Sequence, residues 1–156
     1  MKLTVGSIAP DFSLPDSEGV MHALKDYHGK YVLIYFYPKD DTPGCTTEAC
    51  SFRDNVSRFK ERGITVLGVS ADSAQKHQKF AAKYKLPFTL LSDESKDMLL
   101  AYGVWGKKKF IGREYDGIFR NSFLIDPEGK ILKIYENVKP AKHIEEILQD
   151  FAELTA

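Results

Sequence analysis

One stretch concentrates the residues that could do chemistry: PKDDTPGCTTEAC, residues 38–50, holds Cys45 and Cys50, the only two cysteines in the chain. A cysteine acts as a nucleophile or ligand through its thiolate, so the question is what would favour ionisation. If Thr42 caps a helix and Pro43 is its first residue, Cys45 falls in the first turn, where free backbone N–H groups and the positive end of the helix dipole favour a negative sulfur. Cys45 also shares a helical face with Ala49, Phe52 and Val56, which is where a small buried hydrophobe would sit. The residues alone leave both roles open. Cys50 lies five positions on, about 140° around an ideal helix and about 7.5 Å along it. That places the pair beyond the ~7 Å Cα limit for a disulfide, so oxidation of the pair requires the helix start to unwind.

Other chemistries fit less well. The histidines His22, His28, His77 and His143 do not stand in ligand spacing with the cysteines. Zinc sites use tighter C-x2-4-C and H-x3-5-H pairs, and iron–sulfur clusters want four thiolates. No metal or cofactor is therefore expected, and each histidine is expected at the surface. A C-x-x-C motif is absent, which counts against a general disulfide exchanger.

The elements around the cysteines follow from pattern. YVLIYFYP, residues 31–38, is an apolar β-branched and aromatic run, the signature of a central strand covered on both faces. From Thr42, apolar residues at spacings of three and four as far as Gly63 predict one amphipathic helix of about five turns. ITVLGVSA reads as a second buried strand, DSAQKHQKFAAKYK as a helix, FTLLSD as a short strand and ESKDMLLAYGV as a short helix. RNSFLIDPEGKILKIYENV reads as a hairpin turning at Asp126-Pro127-Glu128-Gly129. AKHIEEILQDFAELTA closes as a helix with Ile144, Ile147, Leu148 and Phe151 on one face. Near the start, APDFSLPDSEGVMHAL reads as short strands around DSEG, and KDYHGK as a brief helical turn. The fold class is α/β: a thioredoxin-like domain over residues 1–156, with a mixed central sheet flanked by helices on both faces.

Composition excludes several partners. Lysine plus arginine and aspartate plus glutamate both number 22, so no global charge points to nucleic acid or an anionic membrane. The basic run GKKKF reads as a solvated loop. No apolar run reaches membrane-spanning length and no cleavable leader is recognisable, so a cytoplasmic protein is expected, where a cysteine pair serves redox chemistry more often than structure. Asp40 and Asp41 are expected to face solvent, since negative charge beside a thiolate opposes its ionisation.

These residues carry a resemblance. Pro38, Thr42 and Cys45 match the pattern P-x-x-x-T-x-x-C, and Cys45 to Cys50 match C-T-x-E-A-C. With APDFSLPD, GVSADS, YGVWG and RNSFLIDPEGKI, the chain resembles the peroxiredoxins of the bacterioferritin comigratory protein and peroxiredoxin Q group. The resemblance implies a thiol peroxidase acting on hydrogen peroxide and organic hydroperoxides. In it Cys45 is the peroxidatic nucleophile passing through a sulfenic acid, Cys50 resolves it as an intramolecular disulfide, and thioredoxin recycles the pair. It also implies that Thr42 both caps the helix and donates to thiolate or peroxide, and that Pro38 shields the sulfur from water. Arg120 holds the thiolate and polarises the peroxide, and Glu48 orients Arg120. Without a third cysteine, catalysis is self-contained, and a monomer is expected; Tyr37, Trp105 and Phe110 are aromatics that could support weak pairing, with packing favoured for Trp105. Two rivals remain at this level, a redox sensor that stops near one turnover and a disulfide exchanger that needs no peroxide.

Overall fold

Residues 2–156 are described by a computed structural model. Its organising element is the strand Tyr31–Phe36 (β3). Side chains alternate across a strand, and here both sets are apolar. Val32, Ile34 and Phe36 enter one core cluster, while Leu33, Tyr35 and the following Tyr37 enter another. The strand Ile64–Ser70 (β4) is split the same way, with Leu67 and Val69 on one side and Ile64 and Val66 on the other.

With the strands Thr89–Ser92 (β5), Ser122–Ile125 (β8) and Ile131–Tyr135 (β9), these form a five-stranded sheet in the order β5-β4-β3-β8-β9. β3 pairs in parallel with β4, and β4 with β5, while β8 and β9 run antiparallel. This is the expected mixed sheet. One face is covered by the helices Pro43–Asp54 (α1), Val56–Glu61 (α2), Ala74–Tyr84 (α3) and His143–Leu154 (α5), through Phe52, Phe59, Phe80 and Phe151. The other is covered by Asp97–Ala101 (α4), through Met98 and Leu99, and by the small pair Ser13–Pro15 (β1) and Met21–Ala23 (β2), followed by a single 3₁₀ turn at Leu24–Tyr27. The β8–β9 turn closes with Gly129 N–H donating to the Asp126 carbonyl at 3.0 Å, and Gly129 has φ +85°.

Gly68 is set by close approach. A Cβ there would stand 2.8 Å from Leu90 Cδ2 and 2.9 Å from the Tyr35 ring.

Several expectations fail. The five-turn helix is two helices, broken at Asn55, whose side-chain amide donates to the Ser51 carbonyl at 2.8 Å while its backbone N–H reaches only Phe52. An asparagine that bonds the preceding turn competes with the helical ladder, and the apolar spacing carries no trace of that. GKKKF is not a loop: Trp105–Phe110 (β6) pairs antiparallel with Arg113–Ile118 (β7). Most of that hairpin is exposed, so it lacks the apolar alternation that marks a half-buried strand. His77 and His143 are buried. Tyr37 is also buried, which removes it as a surface aromatic, whereas Phe110 is exposed and Trp105 packs partly buried against the core.

Candidate active site

Pro43 opens α1, preceded by Thr42 in extended conformation at φ −93° and ψ 157°. Cys45 therefore lies in the first turn, and it is also 1% exposed, packed with Ala49 and Phe52. The two roles left open by the sequence are compatible: the sulfur is on the apolar face and at the positive end of the helix.

Arg120 arrives from 75 residues away. Its Nη2 donates to Cys45 Sγ at 3.3 Å and its Nη1 to Glu48 Oε1 at 2.7 Å. The guanidinium is delivered by the segment leading into β8, which is pinned to β3 by Asn121 accepting from Phe36 N–H and to the chain after β9 by Val138 N–H donating to the Arg120 carbonyl. Glu48 stands three residues after Cys45, so both face the same partner. Gly44, which sequence reasoning passed over, supplies the clearance: a Cβ there would lie 3.1 Å from Arg120 Nη2. Its signal was a glycine inside the first turn, where its helix propensity is poor.

Charges around the sulfur are unequal. Burial pushes the Glu48 carboxyl up to about 7, with Arg120 opposing the rise. Its Oε2 is buried and has no hydrogen-bond partner. Desolvation pulls Arg120 down, and the nearby Glu48 and Cys45 more than offset it, so the guanidinium stays charged. Lys108, on β6, donates to the Ile118 carbonyl at 2.8 Å; burial and Arg120 lower its pKa while Cys45 acts the other way. Both cations favour the thiolate.

Pro38 is half-buried and lines an open depression of about 360 Å³ with Trp105, Lys108, Tyr115 and Ile118. Having no N–H, it brings no competing donor to the sulfur. The Thr42 hydroxyl departs from expectation. It makes no cap bond and donates to the Lys39 carbonyl at 2.9 Å. Its proton is thus committed, and its lone pairs are what it offers.

Cys50 is half-buried on the same continuous helix, and both cysteines are free thiols. Asp41 is exposed as expected, but Asp40 is not a solvent-facing charge: its carboxylate accepts from Tyr37 Oη at 2.6 Å and meets buried His77 Nδ1 at 2.6 Å. Asp40, Asp72 and His77 have the composition of a metal site. Their polar atoms are instead bonded to one another and to Ser70.

A buried thiol held by a guanidinium at a helix start, beside an opening, is equipped for nucleophilic attack on a small polar substrate. The AhpC/TSA family model matches residues 5–134. The chain is 50% identical over 146 residues, 94% of each sequence, to Peroxiredoxin Bcp of Escherichia coli strain K12, and 47% identical over 155 residues, 99% of each, to Peroxiredoxin Bcp of Bacillus subtilis strain 168. It superimposes with TM-score 0.90 and 35% identity on the bacterioferritin comigratory protein of Xanthomonas campestris, covering 99% of this chain and 98% of that one, in a structure concerned with that protein's alkyl peroxide reduction. A cysteine-to-serine variant of Xylella fastidiosa PrxQ superimposes with TM-score 0.93 and 32% identity, covering 100% and 99%. The thioredoxin-like fold, the thiol at the start of α1 and these relatives together make the chain a member of the AhpC/TSA family, a thiol peroxidase of the bacterioferritin comigratory protein and peroxiredoxin Q group.

Proposed function

We propose that Cys45 is the peroxidatic nucleophile and Cys50 the resolving thiol of a thioredoxin-recycled cycle that this chain completes as one monomeric unit in the cytoplasm. The observation that carries the reading is the bond from Arg120 Nη2 to Cys45 Sγ. The same guanidinium can hold the distal face of a peroxide as the sulfur approaches, so ground-state orientation and charge stabilisation come from one group.

The Cys45 thiolate attacks the terminal peroxide oxygen, the O–O bond breaks, and the leaving alkoxide takes a proton to depart as alcohol, or water from hydrogen peroxide. The sulfur is left as a sulfenic acid. Thr42 offers its oxygen as an acceptor for the peroxide proton, and Pro38 and the apolar wall of β6 and β7 keep water from the sulfur. The first turns of α1 then unwind. The Cys50 thiolate attacks the Cys45 sulfur, hydroxide leaves and is protonated to water, and a disulfide remains. A dithiol reductant of the thioredoxin type returns both thiols by exchange. That reset demands a reducing compartment, which supports the cytoplasm. The depression beside Pro38, apolar on its Trp105 and Ile118 side, supports organic hydroperoxides alongside hydrogen peroxide.

The test is NADPH oxidation coupled through thioredoxin reductase and thioredoxin. Cys45→Ser should abolish turnover, and Cys50→Ser should stop after about one equivalent of peroxide unless a small thiol is added. Full thioredoxin-coupled turnover by Cys45→Ser overturns the reading, and insulin reduction by the wild type without peroxide would indicate a disulfide exchanger instead.

A further inference from the structure

The segment joining β3 to α1 is tied down by a group that the peroxidase chemistry leaves unused. His77, on α3, is fully buried. Its Nε2 faces the Leu91 carbonyl at 3.0 Å, and its Nδ1 faces Asp40 Oδ2 at 2.6 Å. A carbonyl oxygen only accepts, so Nε2 carries a hydrogen. A carboxylate at 2.6 Å from the other nitrogen is attractive only with a second proton between them. The Asp40–His77 pair therefore holds one proton more than a neutral imidazole and an ionised carboxylate would separately. The other groups facing it do not displace that proton: Tyr37 Oη donates to Asp40 Oδ1, and Asp72 Oδ2 is occupied by Asp40 N–H and Ser70 Oγ.

We infer that Asp40 and His77 are positioning residues, a proton-holding latch that keeps the Pro38–Thr42 segment and the first turns of α1 closed over Cys45 and so sets the frequency with which Cys45 reaches Cys50. Asp40 stands five residues before Cys45, and Pro38 and Thr42 lie two residues to either side of it. Releasing this segment leaves His77 without its carboxylate, and above the ordinary histidine range it releases the extra proton to water. Opening of the latch should then rise about tenfold per pH unit in that range, because one proton leaves with each opening. The inference rests on the assignment of Cys45 and Cys50 above. Its first measurement, however, is made on the reduced protein without peroxide, so the two can fail separately.

That measurement is amide hydrogen exchange of residues 42–50 in the full chain between about pH 7 and about pH 8.5, corrected for intrinsic exchange, a range above the free imidazole's pKa. Wild type should show an opening equilibrium that climbs with pH. Asp40→Asn is the discriminating variant: its amide can donate to Nδ1 of a neutral His77 and still accept from Tyr37, so it should keep the protection and lose the pH slope. Asp40→Ala and His77→Leu should lose protection and, after one equivalent of peroxide, form the disulfide on the order of tenfold faster, since a population shift toward the open form feeds the resolving step. A flat wild-type profile, or a slope retained in Asp40→Asn, overturns the proton-holding latch. Unchanged or slower disulfide formation in both Asp40→Ala and His77→Leu overturns its control of resolution. Should those two variants fail to fold, the comparison of wild type with Asp40→Asn still decides.

Discussion

At the residue scale, the site depends on what surrounds Cys45 more than on the cysteine. Arg120 reaches the sulfur because Gly44 has no side chain. Gly44→Ala is expected to leave the melting temperature unchanged or slightly higher, since alanine favours a helix by roughly 1 kcal/mol. It should nevertheless lower kcat/KM for peroxide by about tenfold or more, because the guanidinium must move by tenths of an ångström from a site where an ångström is worth about a hundredfold. Steady-state kinetics beside a thermal melt test it, and parallel loss of both would refute it. Glu48 adds a pH signature. Burial pushes its carboxyl up to about 7, so ionisation near neutrality adds a negative charge beside the thiolate and Arg120. A kcat/KM profile should show an inflection near that pH in the wild type. Glu48→Gln, which can still accept from Arg120, should erase it, and an unchanged profile would clear Glu48 of the role.

At the element scale, α1 has two incompatible tasks. As a helix it presents Cys45 to Arg120 and keeps Cys50 on the next turns, and as a disulfide it cannot remain helical between them. Far-ultraviolet circular dichroism of the oxidised protein should show the loss of roughly one to two helical turns, reversible by dithiothreitol. A formed Cys45–Cys50 disulfide with undiminished helicity would contradict this. The neighbouring strands tolerate no such freedom. Gly68→Ala would push a methyl into the Tyr35 ring and Leu90, and the overpacked sheet should lose about 1 to 3 kcal/mol of stability, read as a lowered denaturant midpoint with the active-site residues untouched.

At the scale of the whole molecule, buried titratable groups link stability to pH, and their signs differ. His143 is buried on α5 against Phe52 and Tyr135, and burial lowers its pKa. The unfolded chain therefore binds more protons than the folded one as pH falls below the ordinary histidine value, and stability drops there. Glu48 acts oppositely. Its folded pKa of about 7 exceeds the ordinary 4.5, so the folded state binds more protons across that window and stability declines as pH rises through it. Glu48→Gln removes this decline, and its melting temperature should gain more between about pH 5 and about pH 7 than that of the wild type, by several degrees. An equal or smaller gain would show that Glu48 keeps its ordinary pKa.

The sequence by itself determined whatever is written in neighbouring residues. The doubly buried strands, the hairpin at Gly129, the apolar face of α5 and the first-turn position of Cys45 all follow from local periodicity and capping, and the motif resemblance brought Arg120 and Glu48 to the same site. Only the tertiary structure decided the break at Asn55, where one side chain competes with the ladder, and the β6–β7 hairpin, whose exposed residues carry no alternation. It alone decided that Asp40 meets His77 and that Gly44 makes room for Arg120, contacts between residues 37 and about twice that number of positions apart. Periodicity reports which face of an element is apolar. Which distant side chains share a space depends on how the sheet brings those faces together, and no local pattern encodes that.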